Sequence, residues 1–467
     1  DNWIWPRHTG DFSMFRVYAS KDNRPAAYSP QNVPYRPKKH FSISTKGVKE
    51  GDFTMIYGFP GNTQEYILSD AVAYIAERSD PAKIAVRTGR LDIITKAQES
   101  DPALRIHYAA KHASIANAWK KWQGEALGID RRGTVAAKFD YETQFGLWSV
   151  GRPEYAGVVM GLRAEYDRIM DAYFAYEITR ETLSTLPAAY TPEERAEECF
   201  ARRKFAEQAL WRHAFREYGR CPKVYRTPSY AEGMARYKSP EAYADALFEA
   251  VWEGSDSVAM QPAVRLREET KRMLDHISWM LGTKSLRNLN SKILNELYTT
   301  YIKGLREWDR ERAFYPDANL TLRVAYGSVA GYEYADGEYH KPQTTLDGII
   351  AKDNPEIYDY DIPQSLRDLY ASKNYGRWGT VIDGRRTVPV CFLATNHTTG
   401  GNSGSPVLNA GGELIGINFD RTWRSTMSDI AFDPAICRNI AVDIRYVLFV
   451  VDRVGGAGYL LKEMTLK

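Results

Sequence analysis

The residues best suited to chemistry in this chain form the segment Thr399–Pro406, with the sequence TGGNSGSP. A serine that attacks a carbonyl carbon must stand on a tight turn with its hydroxyl exposed. Small neighbouring residues then let backbone N–H groups converge on the oxyanion that forms. The segment therefore predicts Ser403 as a nucleophile, with the N–H groups of Gly401 and Ser403 as the donors of an oxyanion hole.

An ordinary Gly/Ser surface turn is the alternative interpretation of this segment, since such turns are common. The flanking sequences favour the nucleophile. The apolar run Val388–Leu393 precedes the loop, and Glu413–Phe419 has the composition of a second strand after it. A glycine loop between two buried strands is the setting that an exposed nucleophilic serine requires.

Length, charge and cysteine usage exclude several classes of protein. The chain has 467 residues and a formal net charge of +3. This length predicts two or three domains, and so small a charge favours neither nucleic acid nor an anionic membrane as a partner. No apolar run approaches the roughly 18 residues of a spanning helix. We expect no metal and no organic cofactor. The cysteines are Cys199, Cys221, Cys391 and Cys437, and no spacing among them suggests a zinc site. Isolated thiols or small buried residues are the preferred interpretation of Cys199 and Cys221, with a bridge between them as the alternative, and the sequence leaves the disulfide state of the four open.

The residue patterns divide the chain into three regions. Residues 1–63 are β-rich, with predicted strands at Phe12–Tyr18 and Phe53–Tyr57. Residues 64–315 have helical periodicity, and residues 316–467 return to β patterning. The simplest architecture is an α+β chain in which a helical insertion of about 250 residues interrupts a β domain.

Local signals predict where several elements begin and end. The segment Thr191–Glu194 is a capping box with proline at the first helical position, and it predicts a helix that runs to Gly219. Ser239–Glu241 begins another helix in the same way. The remaining predictions are a helix with Leu162, Tyr166, Ile169 and Tyr173 on one face, strands at Leu320–Tyr326 and Asn439–Ile444, and a terminal helix at Tyr446–Val454.

Several segments taken together resemble the S46 family of dipeptidyl peptidases. The segments are Asn2-Trp3, Arg7–Ser13 (RHTGDFS), Gly58–Thr63 (GFPGNT), Thr399–Pro406 and Asn439–Arg445 (NIAVDIR). The likeness extends over the whole chain, including its helical region. As a set, these motifs are far more specific than the serine loop alone.

The resemblance implies a chymotrypsin-like double β-barrel that carries a large α-helical domain. Residues 1–63 are then the end of the first barrel, and residues 64–315 form a helical lid over the substrate cleft. Residues 316–467 form the second barrel, which carries the nucleophile and a C-terminal helix. This implied fold agrees with the order of β, α and β patterns along the chain.

By the same resemblance, Ser403 matches the nucleophile and Asp11 matches the acid that orients a catalytic histidine. Taken alone, Asp11 would be interpreted as a turn residue. In the family the histidine lies upstream of this aspartate, and no matching segment is found here. His8 and His397 are interpreted as structural or substrate-lining. We therefore expect this chain to be the C-terminal portion of a longer enzyme whose upstream segment supplies the general base.

The resemblance also implies how such an enzyme restricts cleavage to the bond after the second residue of its substrate. It must hold the free α-ammonium of a peptide at a fixed distance from the scissile bond, which requires a carboxylate and amide oxygens. The matching positions are Asn2, Trp3, Asn117 and Asp420. Taken alone, Asn117 is an ordinary exposed helix residue, and Asp420 is a turn residue at the end of a strand.

Arg421 is the candidate specificity residue. It lies 18 residues after Ser403 (421 − 403), where the wall of the S1 pocket is expected. A guanidinium group offers bidentate hydrogen bonds to a carboxylate. Arg421 resembles the acidic-specific branch of the family, which releases dipeptides with Asp or Glu at the second position, whereas the hydrophobic-specific branch has a small residue there. The alternative is that Arg421 only pairs with the neighbouring Asp420.

Three other functions remain open on the sequence. One is the same scaffold with a hydrophobic preference, which Arg421 disfavours. A second is a module that binds peptide N-termini without cutting, which the lack of a matching histidine keeps open. The third is a trypsin-like endopeptidase, which would cleave N-terminally blocked peptides. The resemblance further implies peptide substrates with a free N-terminus, a homodimer, and a periplasmic or cell-surface location in a bacterium.

Overall fold

The computed structural model describes residues 2–254, 257–282 and 289–467. The chain divides into two compact units. A β unit combines Asp1–Thr63 with Asp317–Lys467, and a helical unit is formed by Gln64–Pro316. These divisions lie next to the boundaries that the sequence predicts at residues 63 and 315.

The described strands all belong to the β unit. They are β1 (Tyr18–Ala19), β2 (Val33–Pro34), β3 (Phe53–Gly58), β4 (Arg323–Ser328), β5 (Tyr332–Ala335), β6 (Glu338–His340), β7 (Gln343–Thr345), β8 (Thr380–Ile382), β9 (Arg385–Thr387), β10 (Pro389–Ala394), β11 (Ser405–Leu408), β12 (Leu414–Arg421) and β13 (Asn439–Asp443).

The described α-helices number fourteen. Eleven lie in the helical unit and three in the β unit. They are α1 (Ser69–Tyr74), α2 (Asp80–Ser100), α3 (Pro102–Arg131), α4 (Thr134–Ser149), α5 (Val158–Glu181), α6 (Pro192–Ala196), α7 (Lys204–Tyr218), α8 (Pro228–Tyr237), α9 (Pro240–Glu253), α10 (Ser257–Leu281), α11 (Lys292–Trp308), α12 (Leu346–Ala351), α13 (Gln364–Ala371) and α14 (Ile444–Phe449).

Seven strands form one antiparallel sheet in the order β4-β3-β11-β12-β13-β10-β7. The sheet curls, because β4 also meets β10 near the other edge. The Thr395 N–H donates to the Ser328 carbonyl at 3.0 Å, and the Ala330 N–H donates to the Leu393 carbonyl at 3.2 Å. These bonds bring the sheet close to a closed barrel, which satisfies backbone groups that an open edge would expose.

Apolar side chains from successive strands fill the inside of this curled sheet. Ile56, Phe392, Val407 and Ala441 are all fully buried there. Strand β10 is buried at every position, because α14 packs against it from outside while the core lies inside. The sheet that carries the nucleophile loop therefore rests on a rigid apolar core.

Residues 1–63 contribute to this same sheet. Strand β3 lies between β4 and β11, and Ile56 pairs with both Ala325 and Val407. The predicted strand at Phe12–Tyr18 is wrong for most of its length, since only Tyr18 is in a strand. Phe15 and Val17 are 87% and 65% exposed, so the apolar alternation has no neighbouring described strand to pack against.

In the helical unit, four helices begin with the same local signal. An Asp, Thr or Ser side chain accepts a hydrogen bond from the first turn, and proline follows as the first helical residue. These starts are at Asp101, Thr191, Thr227 and Ser239. The capping box predicted at Thr191 is present with both of its hydrogen bonds, and the face predicted for Leu162 to Tyr173 is buried in α5.

The helix predicted from Thr191 to Gly219 is broken in two. Helix α6 ends at Ala196, and α7 begins at Lys204. Glu197 has extended backbone angles at the break. The irregular segment lets Arg203 Nη1 reach His107 Nε2 at 2.7 Å and the Glu197 carboxylate at 3.2 Å. A tertiary contact with α3 therefore overrides a continuous local helical pattern.

None of the described helices is long and apolar enough to cross a membrane. All four cysteines are free thiols, so the alternative of a bridge between Cys199 and Cys221 is not realised.

Gly89 in α2 provides a test of the packing in the helical unit. A Cβ atom there would lie 2.2 Å from the ring of His213, which is held by its Nε2–H donating to the Val86 carbonyl at 2.8 Å. We predict that Gly89→Ala lowers the free energy of unfolding by about 1–3 kcal/mol through overpacking. The measurement is urea unfolding followed by circular dichroism.

The matched control is Gly146→Ala in α4, where no described neighbour lies within 4 Å of the position that a Cβ atom would take. That change should raise the free energy of unfolding by up to about 1 kcal/mol, since alanine is the better helix former. Equal shifts in both variants would contradict the close approach of α2 and α7.

Candidate active site

The loop that carries Ser403 ends where β11 begins, and glycine makes its turn possible. Gly401 and Gly404 have φ angles of +105° and +83°, which disfavour residues with a Cβ atom. A Cβ atom at Gly401 would also lie 2.4 Å from the Phe59 carbonyl oxygen. The Gly61 N–H donates to the Gly400 carbonyl at 2.6 Å. The segment around Phe59 therefore packs against the backbone of the serine loop.

Three buried asparagines hold the base of the loop. Asn402 accepts from the Thr399 N–H through its side chain at 3.0 Å. Asn418 donates from Nδ2 to the Asn402 carbonyl at 3.2 Å, and Asn439 donates to Asn418 Oδ1 at 2.9 Å. All three are at most 3% exposed. This network fixes the loop against β12 and β13, and sequence reasoning had singled out none of the three for this role.

The Ser403 side chain is exposed, and its Oγ donates to the Phe419 carbonyl at 3.2 Å. Phe419 is the extra residue of a β-bulge, because Asn418 pairs with Ala441 while Asp420 already pairs with Ile440. Among the described residues, the N–H groups of Gly401 and Ser403 donate no hydrogen bond within the protein. Such donors are what an oxyanion hole requires.

Arg7 connects the beginning of the chain to the end of β12. Its guanidinium is 2% exposed and stacks over the Phe419 ring at 4.9 Å. Nη1 donates to Asp420 Oδ2 at 3.0 Å, while Nη2 lies 3.5 Å from Asp11 Oδ2 and from Asn2 Oδ1. The buried guanidinium of Arg7 thus contacts three of the predicted site residues. Sequence reasoning missed this role, although Arg7 belongs to a motif that carries the resemblance.

Asp420 is also bound by two backbone N–H groups. Trp3 donates to Oδ2 at 2.9 Å, and Arg421 donates to Oδ1 at 2.8 Å. Burial raises the pKa of Asp420 above its ordinary value, although the Trp3 N–H and the Arg7 cation oppose the shift. Trp3 itself has a φ of +67°, and its carbonyl accepts from the Trp423 N–H at 2.6 Å. These bonds hold a backbone conformation that is unfavourable for tryptophan.

Arg421 is buried, and its side chain forms an ion pair with Asp429. Its Nη1 and Nη2 donate to the two carboxylate oxygens of Asp429 at 2.6 and 2.8 Å. Nη1 also contacts Ser428 Oγ at 2.7 Å, and the guanidinium lies 5.5 Å from the centre of the Trp3 ring. Asp429 was not foreseen, because nothing in its local sequence marks it as the partner of an arginine eight residues earlier.

No histidine takes the position of a general base among the described residues. The partners of Ser403 Oγ and of the Asp11 carboxylate are the Phe419 carbonyl and Arg7. His397 Nε2 lies 3.2 Å from the Ser428 carbonyl, and its ring stacks on Phe432. Burial, followed by the Arg421 cation, lowers the pKa of His397 to about 4. His397 is thus a half-buried residue in contact with Ser428 and Phe432.

His8 also has an environment that disfavours proton transfer. Its ring lies against Gly348, where a Cβ atom would be 1.9 Å from His8 Nε2. Burial, together with the Lys352 cation, lowers the pKa of His8 to about 4.

The remaining predicted residue, Asn117, lies in α3 of the helical unit and is exposed. In the same unit, one described group of metal-ligand types comes together, namely His107, Glu197 and Cys199. The Arg203 guanidinium already lies 2.7 Å from His107 Nε2 and 3.2 Å from Glu197. This cation supplies the positive charge that a metal ion would bring, so the cluster does not suit a metal site.

Known proteins resemble this chain over its whole length. An Asp/Glu-specific dipeptidyl-peptidase of Capnocytophaga gingivalis is 40% identical, with 100% of this chain and 70% of the relative covered. A dipeptidyl-peptidase 7 of Phocaeicola vulgatus is 33% identical with the same coverage. The crystal structure of Porphyromonas endodontalis DPP11 with the dipeptide Arg-Glu matches at a TM-score of 0.84 and 33% identity. That match covers 100% of this chain and 72% of DPP11.

The structural match confirms the predicted fold, an α+β chymotrypsin-like scaffold with a large helical insertion. The family model described as peptidase S46 matches residues 1–198 and 193–466. Together with the likeness to the Capnocytophaga gingivalis relative over 100% of this chain, this match shows that the chain belongs to the peptidase S46 family.

Proposed function

We propose that this protein is a serine-type dipeptidyl peptidase that releases N-terminal dipeptides with Asp or Glu at the second position. The observation that carries the proposal is the arrangement at the end of β12. Ser403 Oγ donates a hydrogen bond to the Phe419 carbonyl, the next residue is Asp420, whose side chain is only 11% exposed, and Arg421 follows. The proposed nucleophile is thus hydrogen-bonded to one residue of β12, and the proposed ammonium-binding and carboxylate-binding groups are the side chains of the next two residues.

In the proposed reaction, Ser403 attacks the carbonyl carbon of the second substrate residue. A histidine accepts the hydroxyl proton and returns it to the leaving amine, while Asp11 orients that histidine. The N–H groups of Gly401 and Ser403 stabilise the tetrahedral oxyanion, and one such donor is worth about 3–4 kcal/mol in other enzymes. Water then hydrolyses the acyl-enzyme and releases the dipeptide.

The base is proposed to lie on a segment of the same protein outside these 467 residues. Two observations support this proposal. Ser403 Oγ, in the described residues, donates to a main-chain carbonyl, which cannot accept and return a proton. The Asp11 side chain is 62% exposed, so that its carboxylate is accessible to an imidazole from another segment.

Asp420, Asn2 and Trp3 are proposed to bind the free α-ammonium of the substrate. A carboxylate has about four acceptor sites, and three at Asp420 are taken by Trp3, Arg7 and the Arg421 N–H. The fourth suits an ammonium hydrogen. Asn117 is proposed as a further contact from the helical unit, on the family resemblance and its exposure on α3.

The preference for Asp or Glu at the second position is proposed to come from Arg421. The greater identity to the Asp/Glu-specific relative, 40% against 33% for dipeptidyl-peptidase 7, supports this preference over a hydrophobic one. We further propose a homodimer in the periplasm or at the cell surface of a bacterium, on the family resemblance and the bacterial sources of these relatives.

The nucleophile can be tested by labelling. In the presence of the histidine segment, a fluorophosphonate probe should modify Ser403, as read by peptide mass spectrometry. Ser403→Ala should lower kcat/KM for a Leu-Asp-coumarin substrate by at least about 10⁴-fold. The 467-residue chain alone should neither be labelled nor hydrolyse the substrate. Hydrolysis that survives in Ser403→Ala, or equal cleavage of the N-acetylated substrate, would overturn the proposed function.

The ammonium site should depend on pH through Asp420. Because burial raises the pKa of Asp420, acidification should protonate it at a higher pH than an ordinary aspartate and weaken binding of a free-amine peptide. The measurement is calorimetric titration with the peptide amide Arg-Asn-NH₂ between pH 7 and pH 4. Asp420→Asn should weaken binding at pH 7 by about 10–100-fold, as for a lost charged hydrogen bond, and flatten the pH profile. The N-acetylated peptide should bind both proteins equally weakly.

The specificity assignment is tested by Arg421→Gly. This variant should lose most cleavage after Asp and Glu and should keep or gain cleavage after Leu, since the pocket loses its cation and gains apolar space. The ratio of kcat/KM for Leu-Asp and Leu-Leu substrates is the readout. An unchanged ratio would remove Arg421 from the S1 pocket.

A further inference from the structure

The guanidinium of Arg421 already holds a carboxylate that belongs to the protein. After β12, the 3₁₀ turn Trp423–Asp429 brings Asp429 back to the side chain of Arg421. The two groups meet end-on, with both terminal nitrogens of the arginine bonded to the two oxygens of the aspartate at 2.6 and 2.8 Å. This bidentate geometry is the same that Arg421 would offer to the Asp or Glu side chain of a substrate.

The neighbouring residues make several further contacts with the arginine of this pair. Arg421 Nη1 also contacts Ser428 Oγ at 2.7 Å and the Thr398 carbonyl at 3.4 Å, and the Trp3 ring lies 5.5 Å away. The Arg421 side chain is 5% exposed, whereas that of Asp429 is 13% exposed. The anionic member of the pair is therefore the more accessible one.

Asp420 also interacts electrostatically with Arg421, and a titratable group that faces both members of the pair is His397. Its ring interacts electrostatically with both Arg421 and Asp429, and with its pKa lowered to about 4 it is neutral at pH 7. The pair and His397 thus contribute one positive and one negative charge in the resting protein. A substrate carboxylate that joins them adds a second negative charge beside the same guanidinium.

We propose that Asp429 is an internal competitor for Arg421, a positioning residue that weakens the binding of an acidic second residue and thereby speeds release of the acidic dipeptide. The inference rests on the proposed function, because it requires Arg421 to bind the substrate carboxylate. A guanidinium has five N–H groups, and the end-on pair with Asp429 uses both terminal nitrogens. The incoming carboxylate either displaces Asp429 or binds the adjacent edge, and in both cases the two anions repel each other.

A purely structural role for Asp429 leads to the opposite expectation. If the aspartate only fixes the direction of Arg421, its removal should loosen the guanidinium and weaken acidic ligands. Arg421 would, however, keep its contacts with Ser428, Thr398 and Trp3. Since these contacts remain, the loss of repulsion should outweigh the loss of orientation.

The experiment is calorimetric titration of the 467-residue chain with the dipeptides Arg-Asp and Arg-Asn, which have nearly the same shape and differ in the side-chain charge. In Asp429→Asn, the Kd of Arg-Asp should fall about tenfold, the order expected from removing one like charge near the site. The Kd of Arg-Asn should stay within about twofold of the wild-type value. In Asp429→Glu, which keeps the charge, the Kd values of both dipeptides should stay within about twofold of wild type. If Asp429→Asn does not fold, Asp429→Ser removes the same charge without placing an amide N–H₂ against the guanidinium.

The matched control is Asp353→Asn. Asp353 forms a bidentate pair with Arg367 at 2.7 and 2.8 Å, and its side chain is 17% exposed. Within the described part of the chain, the hydrogen-bond partners of this side chain are Arg367 and the Ile362 N–H, and neither residue belongs to the proposed site. This variant should leave both dipeptide affinities unchanged. Suppose that wild type binds Arg-Asp more tightly than Arg-Asn, but that Asp429→Asn binds Arg-Asp no more tightly than wild type does. This result would overturn the competitor role and leave the S1 assignment of Arg421 intact. If wild type does not distinguish the two dipeptides, the S1 assignment of Arg421 fails first, and the competitor role fails with it.

Discussion

The buried guanidinium of Arg7 is the group on which the candidate site depends. A cation at 2% exposure is stable only when anionic and polar partners surround it, and its partners here are Asp420, Asp11 and Asn2. The requirement works in both directions. The carboxylates neutralise the cation, and the cation holds two carboxylates near each other that would otherwise repel. The N-terminal segment is thereby fixed to the end of β12, the strand whose Phe419 carbonyl also accepts the hydrogen bond from Ser403 Oγ.

The nucleophile loop itself is held by groups with no charge. The amides of Asn402, Asn418 and Asn439 connect the loop to two strands of the sheet, and the strands rest on an apolar core. Buried amides that are hydrogen-bonded in this way specify one arrangement, because any other leaves polar groups unsatisfied in the interior. The serine hydroxyl can therefore be exposed on a turn of small residues without the turn being loose.

Sequence reasoning was most successful where the signal is local. The glycines around Ser403, the capping box at Thr191 and the apolar run of β10 all depend on neighbours in the chain, and each was predicted in its place. The family resemblance, confirmed by the comparisons, supplied the fold. The predicted roles of Asp11, Asn117 and Asp420 came from that resemblance and stay predictions. The predictions that failed depend on distant partners. Phe12–Tyr18 alternates like a strand, but no described strand lies beside most of it. The helix predicted after Thr191 is interrupted, and the interruption lets Arg203 contact His107. Arg7 and Asp429 were missed because their roles exist only once separate segments meet.

The bulge at Phe419 has a consequence for how this scaffold can change. Along a regular strand, side chains alternate strictly between the two faces, so that Asn418 and Asp420 would point the same way. One surplus residue between them offsets the pairing with β13 and reverses the alternation from that point onward. Deleting a single residue here would exchange the inward and outward sets of everything that follows in β12. A change in strand length at this point would move Asp420 and Arg421 each to the other face of the sheet, whereas substitutions at these two positions leave the register unchanged.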